Sequence, residues 1–159
     1  MKNIIVVFVI IIALLIGIIL FYFLREDPTF SFQSFHFGYS SSSIMNGDVS
    51  YDVTCNKQCV ATIKPFGADP RNSVRVTLSS KEVEKLTSIL HTYHVKSWDG
   101  FHKSDSHVLD GSSFSFHMVL EDGREISASG YMKYPNHYSE VKQELDTLFE
   151  PYMEELWKD

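Results

Sequence analysis

Between Ile4 and Leu24 the chain reads IIVVFVIIIALLIGIILFYFL, without a charged residue and with Tyr22 as its one polar side chain. These 21 residues at a helical rise of about 1.5 Å span about 30 Å, the thickness of a bilayer's hydrocarbon core. In lipid such a segment must satisfy its own backbone polar groups, so the modest aqueous helix propensity of Val and Ile counts for little. Phe21, Tyr22 and Phe23 fall where the helix would meet the interface, and the Tyr22 hydroxyl suits that depth. A cleaved signal would carry a shorter apolar region, about 7–15 residues, ending in a small-residue site. None precedes Arg25-Glu26-Asp27, and no cysteine follows closely enough to be lipidated. The sequence predicts an uncleaved, single-pass membrane anchor over residues 1–27, in contact with the membrane through Ile4–Leu24.

Lys2 and Arg25 balance on the two sides of the span, so basic bias alone does not orient it. The N-terminal tail is very short, the next basic residue after Arg25 is Lys57, and the later cysteine pair suits an oxidising side. These features predict a cytoplasmic N-terminus and one globular extracytoplasmic domain over residues 28–159, at the cell membrane. That part carries 12 Lys/Arg and 18 Asp/Glu. Its acidic balance opposes nucleic acid and anionic lipid surfaces, and no basic stripe argues otherwise.

Within the domain, large and polar residues alternate as strands require. In FSFQSFHFGY, Phe30 and Phe32 alternate on one phase and Phe35, Phe37 and Tyr39 on the other, which predicts a bulge near Ser34. Asn46-Gly47 has the composition of a tight hairpin turn and would set Ile44 opposite Val49. The serines before it have no nucleophile-elbow context and are read as a solvated loop or edge. Tyr51, Val53 and Cys55 turn back through Asn56-Lys57-Gln58 into Cys59, Ala61 and Ile63. The residues flanking such a loop face each other at disulfide distance. A structural disulfide between Cys55 and Cys59 is the leading reading, with two buried thiols, or metal or redox chemistry, as the alternatives.

Val74, Val76 and Leu78 make a further strand. Ser79 three residues before Glu82 has the spacing of a capping box, and Val83, Leu86, Leu90 and Tyr93 form one helical face with Ile89 beside them. Phe114, Phe116, Met118 and Leu120 form a strand that turns at Asp122-Gly123 into Ile126 and Ala128. Tyr138, Val141, Leu145, Leu148, Tyr152 and Leu156 recur at helical spacing, and Pro151 is expected to end one helix near residue 150 and begin a short second one. The predicted fold class is α+β, with an N-terminal transmembrane helix, then a mainly antiparallel sheet with two principal helices packed on one face.

The strand entering LSSKEVEKL, then Ser97-Trp98, then DGSSFSFHMVLEDG with its Asp110-Gly111 and Asp122-Gly123 steps, then SGYMKYP into the last helix, resembles a loose group of uncharacterised bacterial membrane-anchored or lipoprotein-like domains. The resemblance covers roughly residues 74–150 and rests on turns, a tryptophan and a helix entry. It implies no activity and carries over no functional residue.

The segment HTYHVKSWDGFHKSDSH, residues 91–107, gathers four of the seven histidines. His91 and His94 lie on neighbouring helical positions. With His102 or His107, and Asp99 or Asp105, they could complete a tetrahedral zinc site. Against this, H-x-x-H lacks the spacing and internal glutamate of the zincin motif, and histidine at a helix C-terminus complements the dipole. The alternative is a solvated polar connection. Gly130, Tyr131, Tyr134 and Pro135 could line a ligand groove or form a rigid turn into the last helix. The chain has no P-loop, no Gly-rich dinucleotide turn and no nucleophile elbow, so the reading leans away from an enzyme. No catalytic, cofactor-binding or metal residue is assigned, and no cofactor is expected. The expectation is a non-catalytic membrane-anchored extracytoplasmic binding or interaction domain whose partner is a protein or small ligand, presented by a sheet edge or the Tyr131–Tyr134 turn. The alternatives are a histidine-dependent metal-binding protein or metal-dependent hydrolase of the cell envelope, and a pH-responsive element built on the histidines.

Overall fold

Alternation carries the chain through seven strands in the computed structural model, which describes residues 30–40, 48–65 and 73–156. They are β1 (Phe32–Ser40), β2 (Val49–Cys55), β3 (Cys59–Pro65), β4 (Val74–Thr77), β5 (Phe101–Ser104), β6 (Ser113–Leu120) and β7 (Glu125–Tyr131). Helix α1 (Ser80–Thr92) and a 3-10 turn (Val95–Trp98) separate β4 from β5, and α2 (Tyr138–Leu156) closes the chain. The strands form one sheet in the order β4-β3-β2-β1-β6-β7-β5. Every neighbouring pair is antiparallel except β5 with β7, which is parallel. This is an α+β architecture of a seven-stranded, mostly antiparallel sheet with two helices. The apolar run Ile4–Leu24 lies outside the described residues, and among those described no helix is long and apolar enough to cross a membrane.

Because side chains alternate across a strand, register sorts the sheet into two unlike faces. Phe37 stands opposite Tyr51 on one side and Phe116 on the other, and Tyr51 in turn opposes Ile63. All four are buried, together with Phe35, Val53, Ala61, Phe114, Met118 and Ala128 on the same face. Helix α2 packs there: Phe149 stacks on Tyr51 with ring centroids 4.7 Å apart, and Tyr138 meets Phe37 at 5.8 Å. The other face carries Ser34, His36, Asp52, Thr62, Ser115, His117, Ser127 and Ser129. The bulge predicted near Ser34 is present at Gln33, where Phe32 opposes Leu120 and Ser34 opposes Val119. That extra residue shifts the phase and brings Phe35, Phe37 and Tyr39 onto the core face.

Helix α1 begins with the predicted capping box. The Ser79 hydroxyl accepts from the Glu82 N–H, and the Glu82 carboxylate accepts from the Ser79 N–H at 2.8 Å. Leu86, Ile89 and Leu90 supply its buried face. The Tyr152 hydroxyl donates to Glu82 at 2.5 Å, tying α2 to the start of α1.

Two expectations are corrected. Val49 pairs with Tyr39, not Ile44, so the β1–β2 connection is longer than a two-residue turn. Residues 41–47, including Asn46-Gly47, lie outside the described residues. Helix α2 runs unbroken through Pro151 to Leu156. Proline removes one hydrogen bond, to the Thr147 carbonyl, while Phe149 before it and Tyr152 after it are both engaged, which holds the helical path on either side. In the histidine-rich segment His91, His94, His102 and His107 are exposed, as in a solvated polar connection, while Val95 and Trp98 are buried, Trp98 Nε1 donates to the Asn136 carbonyl at 2.9 Å, and Phe101–Ser104 adds a strand.

Candidate functional site

Strand β5 decides where the histidines go. Its parallel pairing sets His102 opposite Ser129 on the face turned away from α2, where Nδ1 lies 2.9 Å from the Ser129 hydroxyl. His91 and His94 stay at the end of α1, with rings 6.5 Å apart, and His94 turns the chain in the left-handed region at φ 51°. His107 sits in the loop after β5, its side chain 94% exposed and 3.4 Å from Asp105. Among the described residues no three His, Cys, Asp or Glu side chains gather as a metal ion requires, so His91, His94, His102 and His107 do not meet in the three-ligand group that the zinc reading needs. Cys55 and Cys59 are register partners joined in a disulfide, which leaves no free thiol.

What the structure does bring together is the turn after β7 and the loop between β5 and β6. Gly130, near the end of β7, faces Phe114 across the sheet. The chain then folds straight back, so a Cβ at Gly130 would collide with the Lys133 carbonyl oxygen and come within 2.6 Å of the Phe114 ring. Glycine is required by that approach. Met132 completes the reversal in the left-handed region at φ 54°, a conformation costing an L-residue about 1–2 kcal/mol.

Hydrogen bonds to the neighbouring loop hold it there. The Met132 N–H donates to the Ser112 carbonyl at 2.9 Å, and the Ser112 N–H returns to the Met132 sulfur at 3.2 Å. The Tyr134 hydroxyl donates to the same carbonyl at 3.2 Å. Asp105 donates its N–H to the Tyr131 carbonyl at 2.9 Å and pairs with Lys133 at 3.1 Å. The His107 backbone N–H and Lys133 hold the Asp105 carboxyl below the usual carboxylate range. Behind the turn, Tyr134 stacks on Tyr138 at 4.5 Å, and Tyr138 lies 4.9 Å from Phe114. An aromatic column thus runs from the core to the surface.

Three large hydrophobic side chains are exposed among the described residues: Leu109 at 99%, Met132 at 37% and Tyr134 at 37%. All belong to these two tied segments. Leu109 lies two residues before Gly111, against whose backbone the Met132 side chain is pressed. Isolated exposed apolar residues are ordinary on any protein; here they are concentrated on one rigid support. Of the ligand groove and the rigid turn that Gly130, Tyr131, Tyr134 and Pro135 could make, the close backbone approach at Gly130 and the hydrogen bonds from Met132 describe the turn. Leu109 escaped the sequence reading because it lies with Val108 in an otherwise polar loop, where no periodicity marks it. A polar groove of about 380 Å³ also runs along α2 beside Lys142, Asp146, Thr147 and Glu150, but Lys142 and Asp146 are already paired to each other at 2.7 Å. No family model matches the chain, and no characterised protein matches it either.

Proposed function

We propose that this protein is a membrane-anchored extracytoplasmic domain that binds a partner through the surface made by Leu109, Met132 and Tyr134. The observation that carries the reading is the concentration of exposed large hydrophobic side chains on two loops locked to each other by backbone hydrogen bonds. Exposed apolar side chains gathered on two tied segments are a surface suited to interaction, and a support held in place in advance loses little entropy on binding. The apolar run Ile4–Leu24 supports anchoring by one span, with the N-terminus in the cytoplasm and the domain outside it. The Cys55–Cys59 disulfide supports that orientation, since such bonds persist on the oxidising side.

The test places a photo-crosslinking residue at position 109 of the full-length chain in bacterial membranes. A discrete adduct that disappears with Met132→Asp is expected. An adduct no stronger than that from position 57, in the β2–β3 turn, would overturn the binding surface. Alkaline phosphatase fused to the C-terminus, active only outside the cytoplasm, checks the orientation separately.

A further inference from the structure

The sheet face turned away from α2 carries Asp52, His36 and Ser115 on three neighbouring strands, β2, β1 and β6. Asp52 opposes His36 in register, and Ser115 opposes Gly38 two residues further along β1. His36 reaches both, with Nδ1 2.7 Å from Asp52 Oδ1 and Nε2 3.0 Å from Ser115 Oγ. Lys64 holds the second carboxylate oxygen at 2.7 Å. Burial disfavours charge on Asp52, but hydrogen bonds from His36 and Lys64 outweigh it and hold the carboxyl below its usual range. An ionised carboxylate only accepts, so Nδ1 must donate to it. In the neutral imidazole Nε2 is then the acceptor, and the Ser115 hydroxyl donates to it. Gly38 places no side chain between Ser50 and Ser115, and His36 and Asp52 are about one-third exposed, at 31% and 36%. Ser115 is half-buried, and Gly38 and Ser50 beside it are buried, so the hydroxyl is reached from the side of the part-exposed His36 and Asp52.

We propose that Ser115 is a reactive nucleophile, with His36 as its base and Asp52 as the group that positions the imidazole, and that it takes an acyl or phosphonyl group from a donor with a good leaving group. The order of atoms is that of an activated serine: nucleophile, base, orienting carboxylate. Oγ attacks the acyl carbon or phosphorus as its proton passes to Nε2, and Asp52 stabilises the imidazolium. The bond to the leaving group then breaks, and the leaving group departs with the electron pair, taking the proton from Nε2 where it is basic enough to do so. The result is an ester at Ser115 and, after any remaining proton is lost to solvent, a neutral His36. Water activated by the same imidazole reverses the first half and frees the acid.

The neighbouring backbone cannot form the usual oxyanion site, because β6 pairs with strands on both sides along its length. The missing donors are worth about 10²–10³ in rate and slow capture and release alike, so capture needs a donor with a good leaving group. This goes beyond the binding surface, which lies in other residues.

The full-length chain treated with a fluorophosphonate, which expels fluoride on capture by an activated serine, should carry one adduct at Ser115 by mass spectrometry. His36→Gln keeps a polar side chain on the strand and should slow capture by about 100-fold, with Asp52→Asn slowing it less. Ser113, on the same face with its hydroxyl 2.6 Å from that of Ser40, is the internal control. No adduct at Ser115, equal modification of Ser113, or wild-type capture by a folded His36→Gln chain would overturn the proposal. If that variant does not fold, the comparison of Ser115 with Ser113 in the wild type decides it.

Discussion

Asp146 is a single residue that ties the last helix to the sheet. Its Oδ1 accepts from the Tyr39 hydroxyl at 2.8 Å and the Tyr51 hydroxyl at 2.7 Å, and Lys142 holds Oδ2 at 2.7 Å from one helical turn earlier. The Lys142 ammonium also lies 3.9 Å from the Tyr39 ring centroid. Asp146→Ala would leave two buried phenols without this acceptor, at a cost of about 1–3 kcal/mol for each unsatisfied group. Urea unfolding of the full-length chain in detergent should show a loss of about 2–4 kcal/mol, and Asp146→Asn, which keeps an acceptor, should lose less. The same phenols predict behaviour in alkali. Burial first, and then the Asp146 charge, push Tyr39 and Tyr51 well above the ordinary tyrosine range, and burial does the same to Tyr138. A raised folded value means the protected phenols stabilise the fold fully below the unfolded value of about 10, and that this stability is lost as pH climbs beyond it. Phenolate absorbance from these three residues should appear only together with loss of native circular dichroism. Their ionisation near pH 10 in a folded chain would contradict the assigned burial.

At the scale of elements, the turn after β7 makes a sharper prediction than its composition allows. A methyl group at Gly130 meets backbone on one side and a core ring on the other, so Gly130→Ala must open the turn and should cost about 1–3 kcal/mol. A methyl at Gly111 meets side chains and no backbone: Met132, at Cγ and with its sulfur at 2.8 Å, and the Tyr131 ring at 3.0 Å. Gly111→Ala should therefore unfold near the wild-type urea midpoint while displacing Met132 and weakening crosslinking from position 109. The β2–β3 hairpin makes the opposite point. Cys55 and Cys59 are four residues apart, and so short a loop removes little chain entropy. Reduction should lower stability by no more than about 2 kcal/mol and leave the sheet intact by circular dichroism. Both hairpin ends were legible from spacing alone, as were the capping box at Ser79 and the bulge near Ser34. Each is set by residues within a few positions of one another. Helix α2 was misread at Pro151 because the loss of one hydrogen bond is a local cost, whereas the packing of Phe149 and the Tyr152–Glu82 bond are tertiary gains.

In the whole molecule, the two faces of the sheet divide the work between packing and exposure. Leu109 is 99% exposed, so Leu109→Asp should leave the urea midpoint within about 0.5 kcal/mol of wild type while removing binding at the proposed surface. A large loss of stability would mean that Leu109 has a structural role. His36, Asp52 and Ser115 each appear in the chain as the polar residue between two apolar ones, in FHF, YDV and FSF. That pattern told which face they occupy and nothing about who stands beside them. Placing β1 between β2 and β6 joined three segments separated by as many as 79 positions, and the parallel pairing of β5 drew His102 away from the helix end that holds His91 and His94. By itself the sequence determined the α+β class, the phase of most strands, the apolar face of each helix, the facing of Cys55 and Cys59 across a short hairpin and the apolar N-terminal run, because these follow from periodicity and from contacts between near neighbours. Tertiary structure alone decided the strand order, the scattering of the histidines, the joining of Leu109 to Met132 and Tyr134, and the line from Asp52 to Ser115. Those depend on which distant surfaces bury one another, and no local pattern in the chain encodes that choice.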